Sequence, residues 1–331
     1  MKNFVYFQPA TPQAAVALLE PKWGSVELLG GGTDLLDLQK EYIATPDNVV
    51  SLSGIAALGT IDVAKSSTTI GAGAKLAAIA DHAELKKLFP SLTETASIIG
   101  GPQIQNMGTL GGNLCQRNRC WYFRDEHVPC LLKGGSKCFA LDGENQYHAV
   151  FTTGHKCVIV HPSTLAPCLI ALGATAEVLG PNGKRSIDLA KFFQAPTGLA
   201  TREHVLAPNE MVTAVTIPNS NLKNASYEVR HKQSHDWPLA QAAVALDAAG
   251  GKASKVKIVL GAVAPTPLVV DAAAKAIEGK EVTEETAAAA GKAATEGAKP
   301  LSQNAHKLKL IEVAVKRALL TAAGGKKYWE A

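Results

Sequence analysis

Val26-Glu27-Leu28-Leu29-Gly30-Gly31-Gly32-Thr33-Asp34-Leu35-Leu36-Asp37-Leu38 joins a compact apolar strand, Val26 to Leu29, directly to three glycines and then to a helical turn. In the order strand, glycine loop, helix, backbone amides stripped of side chains can approach an anion closely. A single such loop more often marks only a tight turn. Here a second follows, Asn106-Met107-Gly108-Thr109-Leu110-Gly111-Gly112-Asn113. Two loops in one region, one bearing Thr33 and Asp34 and the other Thr109 and Asn113, suit a diphosphate with hydroxyls nearby, and so a dinucleotide such as FAD. The single-loop fingerprints fail: neither G-x-G-x-x-G with an acid roughly 20 residues on nor G-x-x-x-x-G-K-[ST] occurs. Gly71-Ala72-Gly73 begins like the former, but Leu76 stands where its third glycine belongs. A simple Rossmann enzyme and a P-loop ATPase are therefore disfavoured.

Outward from the first loop the chain reads as mixed strand and helix. Phe4 to Phe7 is strand-like, and Thr11-Pro12 starts a short helix over Gln13 to Leu19, with Thr as cap and Pro at the first helical position. Asn48 to Leu52, Gly59 to Ala64 and Thr68 to Gly73 are short strands; Leu76 to Leu88 is helical, and Pro90 starts a helix through Ile99. After the second loop come a strand at Cys157 to Val160, a helix at Ser163 to Leu172, and a hairpin turned at Gly180-Pro181-Asn182-Gly183. From about Ser220, strands at Ala225 to Arg230, Ala240 to Leu246 and Lys255 to Gly261 precede helices around Ala272 to Ile277, Glu284 to Thr295 and Lys307 to Ala322. Regular alternation is missing, so the fold class is α+β, ending in a domain of three strands and then helices. The divisions fall at 1–58, 59–219 with an insertion at 116–157, and 220–331.

Composition fits this. At 331 residues and 47% apolar content the chain can build two or three cores. No apolar run nears the roughly 20 residues that cross a bilayer, so no membrane span is expected. Met1 to Gln8 has no basic stretch leading into an apolar core, so the chain is expected to carry no secretory signal of its own. A formal charge of +4, dispersed and without an aromatic-interleaved basic face, gives no reason to expect nucleic acid. Small molecules and protein partners remain.

The six cysteines, Cys115, Cys120, Cys130, Cys138, Cys157 and Cys168, all lie in one central stretch. A dense local group in a chain of this size points to metal or redox chemistry rather than disulfide staples. Cys115 and Cys168 sit in motif-bound or apolar runs and read as small buried hydrophobes. Cys120, Cys130, Cys138 and Cys157 form a C-x9-C-x7-C-x18-C series among Gly, Pro, Arg, His and Lys, which is a loop. Between Gln116 and Cys157, Arg117, Arg119, Arg124, Lys133, Lys137 and Lys156 outnumber the acids, as clustered thiolates require. The residues alone leave an iron-sulfur cluster and structural zinc both open, although zinc sites usually carry C-x2-4-C pairs. Cys120 follows Asn113 by seven residues, which holds their Cα atoms within roughly 24 Å, so any cluster lies near the dinucleotide. No nucleophile and base pair stands out: His127, His148 and His155 sit in the cysteine loop, and the neighbours Ser234-His235-Asp236 do not face one another.

Taken together, Leu29 to Leu36 and Asn106 to Leu114 resemble the FAD-binding, medium subunit of molybdenum-containing hydroxylases, the xanthine dehydrogenase and carbon monoxide dehydrogenase family. The likeness covers nearly the whole chain, with His161-Pro162-Ser163-Thr164-Leu165-Ala166-Pro167 as a third element. Within the family it is most similar to the subunit of periplasmic aldehyde oxidoreductases, whose cysteine insertion carries a [4Fe-4S] cluster. Thr164 departs from the pattern, since relatives often have Asp there.

The resemblance implies a two-part FAD-binding domain of the vanillyl-alcohol oxidase/PCMH type and a C-terminal flavoprotein domain. Leu28, Leu29, Gly30, Gly31, Gly32, Thr33, Asp34 and Leu35 would wrap the FAD diphosphate from one side. Ile104, Gly108, Thr109, Gly111, Gly112, Asn113 and Cys115 would do so from the other. His161, Ser163 and Leu165, with Lys232 and Trp237, would reach the isoalloxazine, where a lysine charge favours the reduced anionic flavin. Cys120, Cys130, Cys138 and Cys157 would hold a [4Fe-4S] cluster. No residue of this chain is expected to be catalytic on its own. Partner subunits would hold a molybdenum cofactor and [2Fe-2S] clusters, and FAD would pass electrons to an external acceptor. The missing signal favours the cytoplasm, while the relatives imply a periplasmic alternative by export with a partner. A stand-alone FAD oxidoreductase and a zinc scaffold without flavin are the competing expectations.

Overall fold

The computed structural model describes residues 1–152 and 154–325. Three sheets organise them. The first is parallel, ordered β1 (Val5–Phe7), β3 (Asn48–Ser51), β2 (Val26–Leu29). Between its strands run α1 (Pro12–Ala17), whose cap Thr11 accepts a hydrogen bond from the Ala14 amide, and α2 (Leu35–Lys40). The second sheet, ordered β4 (Ile61–Val63), β5 (Ser67–Gly71), β8 (Met211–Pro218), β6 (Thr175–Gly180) and β7 (Gly183–Asp188), is antiparallel throughout. Pro181-Asn182 turns the β6–β7 hairpin, and Gly183 supplies the left-handed φ of +101° that follows.

Small helices pack on this sheet: α3 (Leu76–Asp81), α4 (Ala83–Leu88), α5 (Pro90–Ser97), α6 (Pro102–Met107), α7 (Leu110–Cys115) and α9 (Leu165–Ala171), with α8 (Trp121–Arg124) in the insertion. The continuous helix expected from Leu76 to Leu88 is broken at His82, which takes an extended ψ of 116° while its Nδ1 accepts the Leu85 amide that starts α4. Cys157 to Val160, expected as a strand, belongs to no sheet; the Val158 carbonyl instead accepts the Ala149 amide. The Ser163 to Leu172 helix begins only at Leu165 because the Ser163 hydroxyl caps it from outside, accepting the Ala166 amide.

The third sheet is antiparallel and has four strands where three were expected: β9 (Lys223–Val229), β10 (Ala240–Asp247), β11 (Ser254–Gly261) and the two-residue β12 (Leu268–Val269). Two residues leave no alternation to detect, which is why β12 is silent in the sequence. Helices α10 (Asp271–Ile277), α11 (Glu284–Ala293) and α12 (His306–Ala322) cover one face of this sheet. Their core is alanine-rich, with Ala287, Ala290, Ala314 and Ala318 all fully buried, so helix and sheet backbones approach closely.

Candidate functional site

The two glycine segments meet. Gly31 sits so close to the second segment that a Cβ on it would lie 1.8 Å from the Met107 carbonyl oxygen. The second segment is pinned from below: Leu76 N–H donates to Gly108 O, Leu110 N–H to Ala74 O and Gly111 N–H to Ala72 O, at 2.7 to 3.0 Å. Thr109 caps α7 by accepting the Gly112 amide at 3.1 Å. These contacts fix the path of the second segment.

Around this junction open three hollows of about 420, 340 and 380 Å³, and Thr109 and Gly112 line all of them. The first also takes Gly30 to Leu35, Leu28 and Cys115, with a far wall of Trp23, Arg117, Arg202 and His204. The second takes Thr33, Asp34, Ile104, Gly108 and Asn113, and reaches Arg119, Glu228 and Trp237. Leu28, Gly30, Gly111 and Cys115 recur in the third. A groove with a narrow glycine-lined centre and wider lobes suits a dinucleotide, whose diphosphate is thin and whose two ring systems are broad.

Other expected positions lie elsewhere. Leu29 is not part of a hollow wall; its Cδ1 lies under Gly32. His161 is buried at 2% exposure with its ring edge-on to Phe193 at 4.5 Å, and burial pushes its pKa down to about 3. Ser163 is buried and donates to Asn113 Oδ1 at 2.6 Å, so it supports the second loop from behind. Leu165 is fully buried in the main core. Lys232 is exposed, and its amide donates to Asp236. Trp237 does line the second hollow and stacks on the Arg119 guanidinium at 4.8 Å.

Asp34 faces the insertion. Its carboxylate pairs with Arg124 at 2.7 Å and Arg119 at 3.1 Å and accepts the Arg117 amide at 2.9 Å. The first glycine loop is thereby tied to the start of the cysteine segment. Arg117 in turn pairs with the fully buried Glu203 at 2.7 Å. Burial raises the proton affinity of Glu203, but the Arg117 charge and two hydrogen bonds from Asn118 outweigh it and hold the carboxyl below its usual range. Arg117 Nη2 is buried with no hydrogen-bond partner among the described residues. An unpaired guanidinium nitrogen beside a glycine cradle matches the acceptor oxygens of a diphosphate. Arg202 lies over Trp23 at 4.7 Å and 3.5 Å from Glu27. Hollows lined by both glycine segments, with Arg117 in the wall of the first, fit a diphosphate-bearing cofactor such as FAD. The arginines were missed as site residues; their signal was Arg117-Asn118-Arg119 directly after the second glycine motif.

The four cysteines of the series are neighbours. Cys138 and Cys157 share a hydrogen bond that lowers Cys138 to a pKa of about 6 and raises Cys157. Burial pushes Cys120 up to about 12, and the charges of Cys138 and Cys130 add to it. Cys120 Sγ lies 3.2 Å from His148 Nε2. Among the described residues no group of three or more His, Cys, Asp or Glu side chains is arranged to hold a metal ion. Cys168 is fully buried in the main core and is raised to about 12 by burial; Cys115, raised likewise, packs against that core. The tail of the insertion is stitched to the third region. Asn145 exchanges hydrogen bonds with Gln303, and the buried Lys307 donates to the carbonyls of Tyr147, His148 and Ala262.

Comparison with known proteins gives this geometry a family. Residues 2–220 match the FAD binding domain in molybdopterin dehydrogenase, and residues 225–322 match the CO dehydrogenase flavoprotein C-terminal domain. The chain is 33% identical over 317 residues to the aldehyde oxidoreductase FAD-binding subunit PaoB of Escherichia coli strain K12, covering 94% of this chain and 96% of that one. It is 28% identical to the carbon monoxide dehydrogenase medium chain of Hydrogenophaga pseudoflava, with 97% of each covered. The solved structure of carbon monoxide dehydrogenase from that organism, lacking the Mo-pyranopterin moiety, superimposes with a TM-score of 0.76 at 27% identity, covering 97% of both chains. The chain belongs to the family of FAD-binding subunits of molybdenum hydroxylases, and it is an oxidoreductase subunit.

Proposed function

We propose that this chain is the electron-transfer subunit of an aldehyde oxidoreductase-type molybdenum hydroxylase, carrying FAD in the groove and a [4Fe-4S] cluster in its cysteine insertion. The observation that carries it is the meeting of both glycine segments at a groove lined throughout by Thr109 and Gly112. FAD bound there supplies two-electron acceptance together with exchange of single electrons. The chain's residues would do the rest. The Gly30 to Gly32 and Gly111 to Gly112 backbones would lie against the diphosphate, Arg117 would neutralise it, and Trp237 on Arg119 would wall the second lobe.

The likeness to an aldehyde oxidoreductase subunit supports the cluster, as does the electrostatic contact of Cys120 with Cys130, Cys138 and Cys157. Asp34 would couple the two cofactors mechanically, since it holds Arg119 and Arg124 on either side of Cys120. A large subunit with the molybdenum cofactor and a small subunit with [2Fe-2S] clusters would supply the electrons; a small molecule or a protein would accept them. Residence in the cytoplasm, or in the periplasm after export with a signal-bearing partner, accords with this assembly. The family matches favour this reading over a zinc scaffold without flavin and over a stand-alone oxidase. Anaerobic purification from the native host with flavin and metal analysis tests it. One FAD per chain and about four irons beyond those of the partner's [2Fe-2S] clusters, with two co-purifying subunits, are expected; a colourless, zinc-only chain contradicts it.

A further inference from the structure

One ionisable group in the second hollow has no role so far. Glu228 lies on β9 and lines the hollow together with Asn113 and Thr109, with 4% of its side-chain surface exposed. Its Oε1 has no hydrogen-bond partner among the described residues. Among the described residues its Oε2 meets only the Arg230 guanidinium, at a long 3.9 Å, and Arg230 spends another nitrogen on the Ile98 carbonyl. Across the sheet its register partner is Gln241, whose amide nitrogen bonds to Thr164 O and Ser226 Oγ instead. A carboxylate so placed costs stability and gains no structural bond in exchange. A group of that kind facing a cofactor cavity is a candidate for function.

Resting on the assignment of FAD to this groove, we propose that Glu228 is the charge-compensating proton acceptor of the flavin cavity. On two-electron reduction of FAD held there, with electrons from a partner's iron-sulfur centres, the Glu228 carboxylate would take one proton from solvent, forming its O–H bond, beyond any proton bound at the cofactor itself. When the electrons leave, that bond breaks and the proton returns to solvent. Added negative charge near a buried carboxylate raises its affinity for a proton. Charged and titratable groups around it are Arg230 on its own strand, Cys168 on α9, and Asp34, Arg119, His235 and Asp236 in the wall; α5, packed on β9, carries Glu94. Burial pushes Glu228 up to a pKa of about 7, with Arg230 opposing it. Proton uptake on reduction is therefore expected above about pH 7, where the oxidised state leaves the carboxylate ionised.

The test is spectroelectrochemistry of the FAD-loaded full chain between pH 7 and 8.5, in which the pH slope of the flavin potential counts protons per two electrons. Wild type is expected to take up one proton more than Glu228→Gln, and Glu228→Asp to keep the wild-type count. Equal counts in wild type and Glu228→Gln, both with flavin bound, overturn the proposal alone. A wild-type chain that binds no flavin overturns the FAD assignment with it. Should Glu228→Gln fail to fold, the reduced-minus-oxidised infrared spectrum of wild type decides. A carboxylic acid carbonyl band that appears on reduction, shifts in D2O and moves in Glu228→Asp supports the proposal, and its absence overturns it.

Discussion

Replacing Gly31 by Ala isolates the contact on which the groove depends. Gly31 has no left-handed φ, so the only obstacle to a side chain there is space. The new Cβ would lie 1.8 Å from Met107 O, 2.5 Å from Met107 C and 3.0 Å from Gly108 Cα. Restoring even the shortest tolerated contact of 3.0 Å requires the two backbones to part by more than 1 Å. The obstacle is backbone held by three hydrogen bonds to the Ala72–Leu76 segment, so no side chain can simply rotate away. Overpacking of this kind costs about 1–3 kcal/mol. Because the displaced segments are the proposed cradle, FAD affinity should fall by roughly 5- to 150-fold, a factor of ten per ~1.4 kcal/mol. Gly59→Ala is the control: Gly59 lines the third hollow, but its Cβ would meet nothing within 4 Å. Titrating deflavinated chain with FAD by fluorescence quenching measures both. Wild-type affinity in Gly31→Ala, with an unchanged melting temperature, would refute the reasoning.

Other perturbations separate the remaining parts. Cys130→Ser should remove iron while leaving FAD, as measured by metal and flavin analysis; equal loss of both would make the loop a folding element instead. Asp34→Asn weakens its pairing with Arg119 and Arg124 and should destabilise by roughly 2–4 kcal/mol in denaturant unfolding, with iron lost before flavin; unchanged stability would contradict the coupling. Acid stability carries a signature of buried neutral histidines. Burial lowers His161 to about 3 and His204 to about 4, so the unfolded chain binds more protons from pH 6.5 downward, and stability is lost as pH falls from 6.5 towards 3. His161→Gln should shift the acid-unfolding midpoint, followed by circular dichroism, to lower pH, and a shift upward would be wrong for this cause.

The sequence was most legible where backbone chemistry leaves a local mark. Three glycines after Val26–Leu29 and the Gly108-Thr109-Leu110-Gly111-Gly112 run announced the cradle, and Gly180-Pro181-Asn182-Gly183 announced its hairpin. Long strands and helices such as β10 and α12 also carried enough periodicity to be placed within a residue or two. What stayed hidden is long-range. Asp34 read as a cofactor contact and does line the groove, but its pairing with Arg124, 90 positions away, was silent in the sequence. The burial of the His161 ring against Phe193 was likewise silent. Lys307 opens the helix that the sequence placed there, but its burial on three carbonyls, two of them in the insertion, leaves no local mark. Residue type sets what a side chain can bond, and topology decides which partner arrives.

The most direct measurement is a crystal structure of the chain soaked with FAD. The account expects density for two phosphates between Gly30–Gly32 and Gly111–Gly112 within reach of Arg117 Nη2, with ring systems in separate lobes. FAD bound away from Thr109 and Gly112, or no FAD at saturating concentration, would contradict it.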